Sequence, residues 1–230
     1  SARSSSAVAM RLAFRHALVR EAVYAQLLAV EAQPLHARIA TALEERADAE
    51  ARLPERAYHW WAAGVREPAA RTNAAAGDAA RALHAYADAA VHYRRALEFT
   101  PKPGPERATL LSATADVLMR AWRATDARRA LEELFAYYEA AGDRISAARI
   151  ALRLAVVTWN MGDFVASYTA NERACELAEA DRGAAIFFDA YVSLAALSVH
   201  DRRDPDKALA LLAVADTFEG TRESRSRMYF

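Results

Sequence analysis

GDAARALHAYADAAVHYRRALEFTP, residues 77–101, sets a glycine and an alanine twelve positions apart, Gly77 and Ala89, across a break between two helical patterns. The same twelve-residue pairing recurs as Ala115 with Ala127, Ala155 with Ser167, and Ala196 with Ala208. The first members are separated by 38, 40 and 41 residues. A period near this length marks a helical repeat array. Two antiparallel helices joined by a short turn approach closely only where the side chains at their crossing are small. The spacing therefore predicts an all-α fold: a right-handed α-solenoid of helix hairpins, preceded by an N-terminal helical segment. Such an array offers an extended surface for binding rather than a closed pocket for catalysis.

Composition narrows the function classes. Of 230 residues, 54% are hydrophobic and 26% charged, a globular balance. Thirty basic residues offset thirty acidic ones, so the basic surface that phosphate contacts demand is missing and direct nucleic-acid binding is not expected. The lone cysteine, Cys175, can form neither an internal disulfide nor a zinc site, which fits a reducing cytoplasm. No uninterrupted apolar run reaches the roughly 20 residues that span a bilayer. Lys102 and Lys207 are the only lysines; arginine carries the remaining positive charge, a bias that points to a GC-rich bacterial genome.

Strand-type alternation is nearly absent, and Gly and Pro fall mainly between helical patterns. Residues 1–13 read as a flexible lead-in. The pattern predicts helices over 17–30, from Pro34 to 48, from Pro54 to Gly64, and from about 68 to 83. Further helices are expected over 87–99, 105–121, 125–141, 144–160, 164–180, 183–199 and 205–218. Gly-Asp steps in AGDR (141–144) and MGDF (161–164) suit a turn followed by an Asp cap. Helices 144–160 and 183–199 are apolar nearly all round and should lie between neighbours. The tail 221–230 begins another amphipathic segment and stops, which reads as a truncated array; such an end leaves room for a homodimer.

Gly77, Ala89, Tyr93, Ala96 and Pro101 together resemble the tetratricopeptide repeat, with Gly77 and Ala89 at its small positions and Tyr93 at its aromatic one. The later copies are looser. Leu131, Asn171 and Leu212 stand in the aromatic place, and the terminal proline is missing from each. The strings FRHALVREAVYAQLL (14–28), LHARIATALEER (35–46), AYHWWAAG (57–64) and RALHAYADAAVHYRRALEF (81–99) are similar to those of bacterial signal-transduction ATPases and large LuxR- or MalT-like regulators, a resemblance over about 14–100. That resemblance implies that 14–52 close an upstream ATPase-associated, winged-helix-like subdomain and that 53–230 form the repeat sensor. Its implied partners are the ATPase and DNA-binding domains of the same polypeptide. No G-x-x-x-x-G-K-[ST] loop occurs, so the chain has no phosphate cradle of that kind.

Catalytic constellations are not found, and no enzyme, metal or cofactor is expected. Cys175 sits beside Ala174 and Leu177 with no base fixed near it, which reads as core packing. Among the histidines, at 16, 36, 59, 84, 92 and 200, none forms an i,i+4 pair; His84 and His92 could approach across a turn but lack further ligands. Adjacent carboxylates, Glu44–Glu45 and Glu132–Glu133, point about 100° apart on a helix and read as solvated charges. Trp60 and Trp61 cannot face the same way: either each packs on a different neighbour, or one is an exposed docking ring.

In the tetratricopeptide register the concave groove receives Arg71, Asp78 and Arg81 from the first copy, then Ser112, Asp116, Met119 and Arg120 from the second. The third supplies Arg149, Val156, Trp159 and Asn160; the fourth supplies Ser193, Leu197, His200 and Asp201. Arginine grips carboxylate or phosphate, and tryptophan offers a stacking face. Either this lining takes a peptide, a partner domain or a small inducer, or it is an ordinary polar face.

Overall fold

The computed structural model describes residues 22, 24, 28–200 and 203–218. Over these the chain forms ten α-helices: α1 (Ala29–Glu44), α2 (Leu53–Ala63), α3 (Arg66–Ala82), α4 (Tyr86–Glu98) and α5 (Pro105–Arg120), then α6 (Ala124–Ala140), α7 (Arg144–Asn160), α8 (Phe164–Ala178), α9 (Ala185–His200) and α10 (Pro205–Ala215). No strand occurs among the described residues. Substantial contacts join each helix to the next, together with α7 against α9. The expected α-solenoid results.

One turn, used repeatedly, produces this stacking. At the ends of α3, α5, α6 and α7 the N–H of the third turn residue donates five residues back: Ala85 to Ala80, Arg123 to Leu118, Asp143 to Tyr138 and Asp163 to Thr158, at 2.9–3.0 Å. The middle residue is left-handed, with Gly142 at φ 72° and Gly162 at φ 77°, where glycine meets no Cβ clash. Asp143 and Asp163 then accept from the backbone N–H of Ser146 and Ala166, so the next helix starts at once.

Each hairpin closes over its small residues. Ala89, Ala115 and Ala127 are fully buried, and Ala155 and Ser167 nearly so. A Cβ on Gly77 would stand 2.6 Å from Cε1 of Tyr93, so that crossing admits only glycine as it is packed. The fourth pair departs from the twelve-residue rule. Ala196 is exposed, and Ala195 beside it is 3% exposed. The turn before α10 is one residue longer, since Asp204 N–H reaches six residues back to Ser198 instead of five. The matching pair is therefore Ala195 with Ala208.

The core is a line of clusters. Ala40, Trp60, Ala63 and Ala69 join α1–α3; residues from Ala89 to Val157 join α4–α7; residues from Ala147 to Phe218 continue through α10. The α7 and α9 helices lie between neighbours as their composition requires, although Val156 and Val199 remain more than half exposed.

The N-terminal boundaries differ from expectation. Most of the 17–30 helix lies outside the described residues, as do His16, Asp201 and the 221–230 tail. Leu28 is extended, and its N–H donates to Glu31 Oε2 at 2.9 Å, which starts α1 at Ala29. Pro34 consequently sits inside α1 rather than in its first turn.

Candidate functional site

The face shared by α5, α7 and α9 carries two adjoining clefts with Val156 common to both. Residues three and four apart on a helix share a face, so Asp116 with Met119 and Arg120, Leu152 and Arg153 with Val156 and Trp159, and Ser193 with Leu197 and His200 form three parallel stripes.

The first cleft, about 360 Å³, lies between α5 and α7. Arg153 crosses it, donating to Ser112 Oγ at 3.0 Å and to Asp116 Oδ1 at 2.5 Å. Arg120 lies over the Tyr86 ring at 5.6 Å. The guanidinium of Arg153 retains partial exposure, so a ligand carboxylate can compete for it. The second cleft, about 290 Å³, is walled by Val156, Trp159, Leu197 and His200. Trp159 stands edge-on to Phe164 at 4.7 Å and tilted against His200 at 5.2 Å. Ser167 and Asn171 of α8 also line it. Ser167 Oγ donates to the Ala155 carbonyl at 2.8 Å, and Asn171 Nδ2 donates to the Ser167 carbonyl at 3.0 Å.

The other groove candidates lie elsewhere. Arg71 lines a separate polar recess with Arg66, Lys102 and Arg107. Asp78 pairs with Arg81 at 3.1 Å and accepts from the Tyr93 hydroxyl at 2.7 Å, so those charges are mutually engaged. Arg149 is exposed, and its charge partly offsets the burial that raises the Asp189 pKa. Asn160 is exposed and lines neither cleft. Arg153 and Asn171 enter the site unanticipated. The signal for Arg153 was the stripe itself, since it fills the gap between Arg149 and Val156.

Elsewhere the chemistry is structural. Burial, reinforced by Glu172, Glu179 and Glu176, pushes the Cys175 thiol up to about 12, leaving it protonated at neutral pH. Among the described residues no group of three or more His, Cys, Asp and Glu side chains could hold a metal ion. His92 pairs with Asn73 Oδ1 at 3.2 Å while His84 stands edge-on to Tyr86, so these histidines serve different neighbours. Trp60 is buried, donating to Glu44 at 3.0 Å, and Trp61 donates to Glu98 at 2.6 Å under Arg95. Each indole packs on a different helix. No described helix is long and apolar enough to cross a membrane.

No protein-family model matches the chain, and no curated protein matches it. Solved structures do. BtubC from P. vanneervenii superposes with a TM-score of 0.57 at 16% identity, over 86% of this chain and 84% of its own. MamA (41-end) from Desulfovibrio magneticus RS-1 gives 0.52 at 16% identity, over 82% and 96%. YrrB, described as a TPR protein with an unusual peptide-binding site, gives 0.51 at 16% identity, over 89% and 93%. The fold is tetratricopeptide-like. Identities this low establish the architecture, and function has to be argued from the site.

Proposed function

We propose that this chain is a non-catalytic interaction module that binds a peptide or partner-protein segment along the α5–α7–α9 groove. One observation carries the reading. Three helices about forty residues apart in sequence present a continuous lining in which an ion-paired arginine, Arg153, adjoins an aromatic cleft at Trp159. Arginine and tryptophan are the residue types in which binding energy concentrates at interfaces. The likeness to YrrB, itself described as having a peptide-binding site, supports the same role.

Within this reading, the similarity of about 14–100 to bacterial signalling ATPases and LuxR- or MalT-like regulators makes the array the sensor of a cytoplasmic regulator. Segment 14–52 then ends the upstream subdomain, and a peptide, partner domain or small inducer in the groove biases the assembly of the ATPase and DNA-binding domains. A free-standing scaffold is the second reading, supported by the likeness to YrrB, a TPR protein with a peptide-binding site. A native reading frame that enters a P-loop domain upstream supports the first; one without it supports the second.

Peptides selected from a displayed library on the folded chain test the shared claim. Arg153→Ala or Trp159→Ala should weaken the selected peptides about tenfold or more by calorimetry. Unchanged affinity in both variants, with unchanged helicity, would remove the groove from the function.

A further inference from the structure

At the Trp159 cleft the third repeat departs from the pattern of the first two. In the first repeat the residue four positions after the small one is Tyr93, whose ring fills the space against Gly77 to within less than van der Waals distance of an added Cβ. In the second it is Leu131, fully buried. In the third it is Asn171, also buried, at 1% exposure, but far shorter than a tyrosine. Asn171 lines the 290 Å³ cleft beside Ala155, as Leu131 lines the 360 Å³ cleft one repeat earlier.

Asn171 is also unsatisfied. Its Nδ2 must face the Ser167 carbonyl, which can only accept, so the orientation of the amide is fixed. The opposite atom, Oδ1, is buried and accepts no hydrogen bond from the protein. A buried acceptor left this way is costly, and a polar group beneath an apolar cleft is an orientation device for whatever enters. The remaining walls are the aliphatic Val156 and Leu197, the rings of Trp159 and His200, two alanines, and Ser167 and Ser193.

The geometry points to a specific occupant: the indole of a tryptophan in the partner segment, its N–H donated to Asn171 Oδ1 and its rings held between Trp159, His200, Val156 and Leu197. This inference rests on the groove reading above and adds the side chain that its deep end takes. Size argues for one ring system, because ligand pockets begin near about 300 Å³ and cofactor-sized guests need more. Chemistry argues for a donor without an acceptor. An anion would set its oxygens against Asn171 Oδ1, a phenylalanine would leave that oxygen orphaned, and a tyrosine would need a second partner, at Ser193 or His200, for its own lone pairs. Indole N–H donates and accepts nothing.

The test uses the whole chain, ¹⁵N-labelled, with indole, 1-methylindole, N-acetyltryptophanamide and N-acetylphenylalaninamide as probes. Indole and the tryptophan amide should shift the Asn171 side-chain amide and the Trp159 indole signals saturably. The N-methyl and phenylalanine analogues should bind about tenfold more weakly or worse, for want of the hydrogen bond. In Asn171→Leu, the residue this chain already uses at 131, indole and 1-methylindole should become equivalent. If that variant loses helicity, Leu197→Trp, which fills the cleft from its rim, should abolish the indole shifts. Equal binding of indole and 1-methylindole by the unaltered chain would overturn the inference, as would shifts that spare both signals or exclusion of the tryptophan amide while free indole binds. Peptides that depend on Arg153 but ignore Asn171→Leu would leave the groove function standing without it. Indole discrimination with no groove-binding peptide would do the reverse.

Discussion

Trp122 holds the left-handed position of the α5–α6 turn at φ 58° and is 92% exposed. Gly142 and Gly162 occupy the same position in later turns. A side chain there costs about 1–2 kcal/mol, offset in part by the greater freedom a glycine has when unfolded. Trp122→Gly should therefore stabilise the fold by up to about 1 kcal/mol, raising the melting temperature by about 2–4 °C for a chain of this size. Trp122→Ala, which keeps the strain, should gain little. Gly77 makes the opposite case. Its absent Cβ would meet the Tyr93 ring at 2.6 Å, whereas one on Gly104 would meet nothing within 4 Å. Gly77→Ala should cost about 1–3 kcal/mol by overpacking, and Gly104→Ala should leave the melt nearly unchanged.

At the scale of the element, the unit is a hairpin with a three-residue turn, and its register follows from turn length. The longer link into α10 moves the buried small residue from Ala196 to Ala195. Leucine substitutions read this out. Ala127→Leu, Ala155→Leu and Ala195→Leu should each destabilise by about 1–3 kcal/mol in thermal or denaturant unfolding. Ala196→Leu, on an exposed position, should stay within about 0.5 kcal/mol. The Asp caps are separable from this. Asp163→Ala removes the acceptor for Ala166 N–H and should cost about 1 kcal/mol without altering register.

For the whole molecule, stability is a chain of neighbour contacts, so a local weakness is felt locally. The α1–α2 end carries one. His36 and His59 face each other through their Nδ1 atoms at 2.7 Å, and Tyr24 Oη lies 2.7 Å from His36 Nε2. Tyr58 stands edge-on to both rings. Burial lowers the pKa of both histidines; for His59 the nearby His36 adds to the effect, and Glu55 opposes it. Both therefore titrate below the ordinary value of 6.5 when folded. Between their folded values and 6.5 the unfolded chain binds more protons, so stability is intact above that window and falls as pH drops through it. Protection factors over α1 and α2, corrected for the intrinsic slowing of amide exchange in acid, should fall between pH 7 and 5.5 while those of α5–α8 hold, and His36→Gln with His59→Gln should flatten that dependence. Equal loss along the whole array would argue against neighbour-limited coupling.

From α2 onward the sequence by itself determined the helices, most of their turns and caps, the apolar helices that lie between neighbours, and the repeating order in which each hairpin meets the next. These follow from local geometry, because helix length, a left-handed turn residue and a small side chain act within about forty residues. Part of the groove was legible for the same reason: Asp116, Met119 and Arg120, and Trp159 with His200, line the two clefts. Tertiary structure decided the rest. That Arg153 rather than Arg149 bridges to Asp116, that Asp78 and Arg81 are spent on each other and on Tyr93, and that Asn171 keeps an unpaired oxygen beneath a cleft all depend on which atoms of distant helices meet. A pattern with a period of forty fixes which face a residue occupies. It does not fix the ångströms across which a side chain finds, or fails to find, its partner.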